Sequence, residues 1–243
     1  MLVTGGSRGI GAAVARAAAR AGWAVCLTYR EDAAAAAAVV ADTEAAGGIA
    51  CAVQGDVALE ADVLRAFATA DGLGRLVGVV ANAGITGPAS RLDELTAERI
   101  QRILAVNVLG TMLTCREAVR RLSRRHGGAG GSIVLMSSAA ARLGGSGEWT
   151  DYAASKGAID TLAWGLAREV AAEGVRVNAI RPGVIETDIH AAGGQPDRVA
   201  RLERMIPMQR PGSTDEVAAT VIWLLGDDAS YTTGAVIDVT GGR

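Results

Sequence analysis

Leu2-Val3-Thr4-Gly5-Gly6-Ser7-Arg8-Gly9-Ile10-Gly11, followed by an alanine-rich run over residues 12–21, decides how this chain is read. A short apolar strand enters a cluster of glycines and leaves as a helical pattern. Glycines let the backbone turn sharply, and the helix N-terminus behind them offers unpaired N–H groups and partial positive charge to a pyrophosphate. Gly5, Ser7, Arg8, Gly9, Ile10 and Gly11 are therefore the candidate phosphate cradle. The spacing departs from G-x-G-x-x-G, because Val14 stands where the third glycine would fall. A plain glycine-rich turn is the alternative. Residues 5–9 also satisfy G-x-S-x-G, the elbow of a nucleophilic serine. That reading needs an earlier loop for an oxyanion hole, yet Ser7 directly follows the first strand. His190, its available base, sits in an irregular stretch.

Outward from this turn, short apolar runs alternate with longer helical ones. Strands are expected over residues 2–4, 24–29, 50–54, 76–81, 132–137, 175–180 and 235–239. Helices are expected over 10–21, 31–46, 60–70, 97–125, 152–172 and 214–225, the last opened by the capping-box pattern Ser213-x-x-Glu216. Near-continuous apolar strands alternating with helices predict a doubly wound α/β fold, a parallel sheet covered on both faces, with ligands outside the strands' carboxyl ends. One domain over residues 1–243 is the simplest count, with a cofactor-binding half to about residue 130 and a catalytic part after it. Between Gly183 and Pro211 the alternation stops; a stretch this long reads as a lid, or else as a surface insertion.

Composition narrows the function. Half of the 243 residues are hydrophobic and 21% are charged, which supplies a core and argues against disorder. A formal net charge of −2 gives no pull toward nucleic acid or anionic lipid, and 3% aromatics supply no base-stacking surface. No apolar run is long enough to span a membrane, and no signal-peptide pattern opens the chain, so a cytoplasmic protein is expected. Cys26, Cys51 and Cys115 are far apart in sequence and read as buried free thiols. With His126 and His190 as the whole histidine complement, no zinc spacing exists and no metal is expected.

The second strand ends Thr28-Tyr29-Arg30. An acid at this strand end would bind the ribose hydroxyls of a dinucleotide. Here Tyr29 and Arg30 stand beside Arg8, and two guanidiniums can clamp a 2′-phosphate, so NADP is favoured, with NAD as the alternative that Glu31 keeps open. The strongest pair is Tyr152 and Lys156. Four residues apart on a helix, phenol and ammonium share a face. A tyrosine with a pKa of about 10 is a poor base at neutral pH, and a fixed positive charge nearby is expected to lower that value. An incidental amphipathic pair is the bland alternative, but Lys156 is the chain's single lysine among 24 cationic residues.

Taken in order, Thr4-Gly5-x-x-x-Gly9-x-Gly11, Asn82-Ala83-Gly84, Tyr152-x-x-x-Lys156 and Arg181-Pro182-Gly183 resemble the short-chain dehydrogenases/reductases over nearly the whole chain. Within that family the chain is similar to the compact bacterial oxidoreductases that include glucose 1-dehydrogenases and acyl-carrier-protein ketoreductases. The resemblance implies a Rossmann-type fold and NAD(P)-dependent hydride exchange with a small carbonyl or secondary-alcohol substrate. It implies that Tyr152 is the acid/base, and that Lys156 lowers its pKa and holds the nicotinamide ribose. Ser138 would bond the substrate oxygen, and Asn107 would order a water-linked proton path to Lys156. Asn82, Ala83 and Gly84 would pass beneath the cofactor, Asp56 and Val57 would flank the adenine, and Pro182, Gly183, Ile185 and Thr187 would line the nicotinamide. Asn178 would serve a structural turn. A homo-oligomer, dimer or tetramer, is implied, with Val119, Leu122, Leu162 and Trp164 on the two helices that pack across it or else in the core.

Two departures stand out. Ser138 lies 14 residues before Tyr152 and Ser137 lies 15, one and two more than is usual in the family. An insertion within residues 142–151 makes Ser138 the expected partner. The first strand is also short, which is either tolerated or means that the native start lies upstream. Trp149 would wall the substrate pocket or merely cover a loop; Glu186, His190 and Met205 are weaker lid candidates. The rival function is a non-catalytic dinucleotide-binding sensor or interaction module, which would have no reason to keep Asn107, Ser138, Tyr152 and Lys156 together.

Overall fold

The computed structural model describes all 243 residues, except for the side chain of His190. Seven parallel strands form one sheet: β1 (Leu2–Val3), β2 (Val25–Tyr29), β3 (Ala50–Gln54), β4 (Gly78–Ala81), β5 (Gly131–Met136), β6 (Val175–Pro182) and β7 (Val236–Val239). Their order is β3-β2-β1-β4-β5-β6-β7. The chain thus winds outward from β1 in one direction, returns, and winds out in the other. Connections leaving β1 and β4 diverge, opening a crevice at their carboxyl ends.

The expected two-sided burial is present. Leu2 and Val3 are both fully buried, and because alternate strand residues face opposite sides, each anchors a different core. Leu2 packs with residues of α3 (Glu60–Asp71), α5 (Gly110–Leu122) and α7 (Thr150–Val170), including Phe67, Leu122 and Ile159. Val3 packs with α1 (Gly9–Arg20), α2 (Ala33–Ala45) and α10 (Thr214–Leu225), including Val14, Val39 and Leu224. A two-residue central strand is sustained by neighbours on both edges, Cys26 and Leu27 on one side and Val79 and Val80 on the other. The capping box at Ser213 and Glu216 is formed in both directions.

Three local expectations change. The helix expected over residues 97–125 is not continuous: α4 (Ala97–Leu104) passes through a π-helical turn at Ala105–Leu109 into α5, then a 3₁₀ turn at Arg124–His126. The wider turn carries Asn107, and such turns commonly mark functional positions. The stretch after β6 contains two short helices, α8 (Ile189–Ala192) and α9 (Arg198–Leu202), over a small apolar cluster of Val184, Leu202 and Ile206. A short helix, α6 (Ala140–Leu143), also follows β5. Cys26 and Cys51, remote in sequence, sit directly opposite each other on β2 and β3; Cys26 is buried and Cys51 is partly exposed.

Candidate active site

At the carboxyl end of β1, Gly5 has φ of +64°, a left-handed conformation that favours glycine. Its N–H donates to Thr28 Oγ1 at 3.1 Å, and Gly6 N–H donates to the Thr28 carbonyl at 2.8 Å. A Cβ on Gly11 would stand 2.2 Å from the Gly5 carbonyl oxygen, so the first turn of α1 can pack against the loop only without a side chain. Asn82, from the loop after β4, braces the same turn by donating Nδ2–H to the carbonyls of Thr4 at 2.9 Å and Gly5 at 3.0 Å. Thr4 Oγ1 in turn accepts from the N–H groups of Asn82 and Ala83. No side chain caps the N-terminus of α1, where Arg8 stands exposed. An uncapped helix end facing the crevice suits the pyrophosphate of a dinucleotide, so Gly5, Ser7, Gly9, Ile10 and Gly11 fit such a cofactor.

Across the crevice, α7 presents Tyr152 and Lys156. Lys156 is 4% exposed, and its Nζ–H donates to the Met136 carbonyl at 2.7 Å. The ammonium lies 5.6 Å from the centroid of the Tyr152 ring, so the one-turn spacing brings the two together. Burial pulls the Lys156 pKa down to about 8, with the charge of Asp160 opposing. For Tyr152 the balance departs from the expectation that Lys156 lowers it. Burial raises the phenol, and the Ser138 hydrogen bond and the charge of Arg198 only partly offset that.

The two serines divide their tasks. Ser138 Oγ accepts from the Ala140 N–H at 3.1 Å, and its hydroxyl acts on the Tyr152 phenol, drawing it down against the effect of burial. Ser137 is buried and donates to the Lys156 carbonyl at 3.1 Å, facing the scaffold. Asn107 is fully buried. Its Oδ1 accepts from Ile85 N–H at 2.8 Å, while Nδ2 donates to the Ile85 carbonyl at 2.9 Å and Ser155 Oγ at 3.0 Å. Its amide is thus committed to holding the loop after β4 against α7. Gly84 completes the contact, since a Cβ there would lie 3.2 Å from Lys156 Nζ and 3.4 Å from Asn107 Oδ1.

A family model described as enoyl-(acyl carrier protein) reductase matches residues 5–243. The chain is 51% identical over 243 residues to the uncharacterized oxidoreductase YgfF of Escherichia coli strain K12, covering 100% of this chain and 98% of that protein. It is 36% identical over 244 residues to glucose 1-dehydrogenase of Gluconobacter oxydans, covering 100% and 90% respectively. A short-chain dehydrogenase from Burkholderia cenocepacia J2315, crystallised in complex with NADP, superposes with a TM-score of 0.90 at 37% identity, covering 99% of this chain and 96% of that one. The chain belongs to the short-chain dehydrogenase/reductase family. It is an oxidoreductase.

Other residues expected in the site of this short-chain dehydrogenase/reductase are more mixed. Tyr29 is partly exposed at the end of β2, but the Arg30 guanidinium is paired with Glu31. Asp56 accepts from the Ala58 N–H at 2.9 Å and pairs with Arg102 at 2.7 Å; the buried Val57 side chain packs close to Gly110. Pro182 and Gly183 end β6 against β7, with Gly183 N–H donating to the Val239 carbonyl at 2.9 Å. Ile185 is buried, and Thr187 lies where a Cβ on Gly9 would be 3.5 Å from its methyl. Asn178 bridges the loop before β7, bonding the Thr232 carbonyl and the Ala235 N–H, which is a structural role. Leu122 is core, whereas Trp164 is 45% exposed.

Trp149 is buried, donates Nε1–H to the Gly87 carbonyl at 2.7 Å, and meets the Tyr152 ring edge-on with centroids 6.4 Å apart. Single-residue reasoning missed what covers it. The Arg198 guanidinium of α9 stacks 4.1 Å from the Trp149 ring and pairs with Glu148. It also missed Asp160, which pairs with Arg181 at 2.8 Å one turn beyond Lys156, and the buried pair Arg99–Asp151 at 2.9 Å beside Tyr152. None of these carries a local motif. Among the described residues, no helix is long and apolar enough to cross a membrane.

Proposed function

We propose that this short-chain dehydrogenase/reductase exchanges hydride reversibly between a nicotinamide cofactor, preferentially NADP, and the carbonyl or secondary-alcohol carbon of a small molecule. The observation that carries the reading is the buried Lys156 ammonium 5.6 Å from the Tyr152 ring, with Ser138 acting on the same phenol. The cofactor supplies or accepts the hydride. Gly5, Ser7, Arg8, Gly9, Ile10 and Gly11 would hold its phosphates, Asn82, Ala83 and Gly84 its underside, Asp56 and Val57 its adenine, and Pro182, Gly183, Ile185 and Thr187 its nicotinamide end. Arg8, exposed at the turn, and Arg30 would favour a 2′-phosphate over a bare ribose, with Tyr29 at the strand end between them.

In reduction, Ser138 and Tyr152 would both donate to the substrate oxygen as negative charge grows there, and Tyr152 would deliver its proton. The upward shift of the phenol suits that direction, because the proton is present when required. Lys156 would stabilise the phenolate that remains, and its charge requires the Met136 carbonyl and Asp160 to keep it protonated in a buried place. Asn107 would act by fixing the loop that passes beneath the cofactor. A homo-oligomer is consistent with the exposed Leu109, Met112 and Trp164 along the π turn, α5 and α7.

Tyr152→Phe tests this reading. Turnover of a ketone panel should fall about 10²–10⁴-fold, while NADPH binding, read by fluorescence titration, persists. Loss of cofactor affinity with intact residual turnover would make Tyr152 a structural residue. NADPH binding by the wild type with no turnover across the panel would favour the sensor.

A further inference from the structure

The second wall of the site is charged in a way the hydride chemistry does not require. Above Tyr152, Trp149 supports the Arg198 guanidinium, whose side chain is only 13% exposed. Arg198 and Arg201 share a single carboxylate, Glu148, the second pair at 3.2 Å. Burial works to raise that carboxyl, yet the hydrogen bond and charge of Arg198, then of Arg201, carry it below the ordinary glutamate value. Arg243 stands near enough that burial, then the charge of Arg198, pushes its guanidinium down. Two guanidiniums thus share one carboxylate, and Asp197, at the start of α9, is exposed.

Hydrogen-bonding capacity on this wall is also left over. Gln195 is 8% exposed, and its Oε1 accepts from Arg198 and Arg201, but its buried Nε2 has no partner. Thr86 Oγ1, on the loop after β4, is likewise buried without a partner. The two loops meet here, since a Cβ on Gly193 would stand 3.1 Å from the Thr86 methyl and 2.8 Å from the Trp149 ring. Buried amide and hydroxyl groups without partners are costly unless something else satisfies them.

Resting on the oxidoreductase reading above, we propose that the substrate carries a carboxylate close to its reacting carbon, received by Arg198 with Gln195 Nε2 and Thr86 Oγ1. A guanidinium presents parallel N–H donors that match the two oxygens of a carboxylate, and Glu148 occupies only part of the Arg198 fork. The Arg198 guanidinium carbon sits 4.1 Å from the Trp149 ring, which in turn meets Tyr152 at 6.4 Å, so the guanidinium stands over the same site. A keto acid or hydroxy acid is then preferred to its neutral ester or amide.

The experiment compares a short keto acid with its methyl ester under NADPH, in the wild type, Arg198→Gln and Gln195→Leu. The acid should exceed the ester in kcat/KM by about tenfold or more in the wild type. Arg198→Gln should collapse that ratio, and Gln195→Leu should reduce it. Calorimetric titration of the non-reducible saturated carboxylate into the wild type with NADP, against the same acid as its amide, gives a readout independent of turnover; binding of the acid alone is expected, lost in Arg198→Gln. Turnover of the ester equal to or above that of the acid overturns this inference and leaves the Proposed function standing. Equal binding of carboxylate and amide also overturns it. Failure of every ketone, keto acid and ester with either cofactor overturns both.

Discussion

The glycine turn after β1 and the segment after β6 face each other across the same crevice but are held by different forces. The turn is fixed by backbone hydrogen bonds and by the absence of side chains: Gly5 at positive φ, Gly11 against the Gly5 carbonyl, and Asn82 tying both to the loop after β4. The segment carrying α8 and α9 rests on a small apolar cluster and on Glu148, Trp149 and Gln195 holding Arg198 and Arg201. The turn is rigid, whereas the contacts of the segment after β6 are few and made largely by long side chains, so its displacement disturbs little of the rest of the fold.

The contrast can be broken by substitution. The largest effect is expected at Gly11→Ala, where a methyl 2.2 Å from the Gly5 carbonyl oxygen has nowhere to move. Stability measured by urea denaturation should fall by about 1–3 kcal/mol, and NADPH affinity should drop with it. An unchanged midpoint would show the turn to be as adaptable as the cover.

Lys156, buried on α7 across the crevice from the turn, gives the next effect. Its folded pKa of about 8 lies below the ordinary lysine value of 10.5, so the unfolded chain binds more protons between these values. Its contribution to stability therefore rises with pH across that window. Cys26 and Cys115, raised by burial, pull the opposite way as pH climbs, so the informative quantity is the difference from Lys156→Met without cofactor. Between pH 8 and 10 the wild type should gain about 2 kcal/mol relative to that variant. A flat difference would mean that the ammonium is solvated after all.

Glu148→Gln should act least. Overall stability should change by about 1 kcal/mol or less, but loss of the latch should speed limited proteolysis after residues 198–204 about fivefold. No change in cleavage would place the hold on the cover in Val184, Leu202 and Ile206 instead.

Most of the sheet was legible because parallel strands buried on both faces are continuous apolar runs, and glycines and caps punctuate them. The capping box at Ser213 and Glu216 was readable from four residues. The helix expected over 97–125 failed at Asn107, because a π turn satisfies a buried amide through contacts with Ile85 and Ser155, far away in sequence. Tyr152 and Lys156 were legible since one helical turn brings them together, but the direction of the phenol shift was not. It depends on how deeply that phenol is packed, which spacing does not encode.

The amino-acid order by itself therefore determined the crossover pattern, the glycine cradle and the phenol–ammonium pair, all of which depend on neighbours a few residues apart. Tertiary structure alone decided that Cys26 faces Cys51 and that Arg198 caps Trp149. Those outcomes depend on burial and on distances between remote segments, and electrostatic and packing energies are functions of distance in space rather than of separation along the chain.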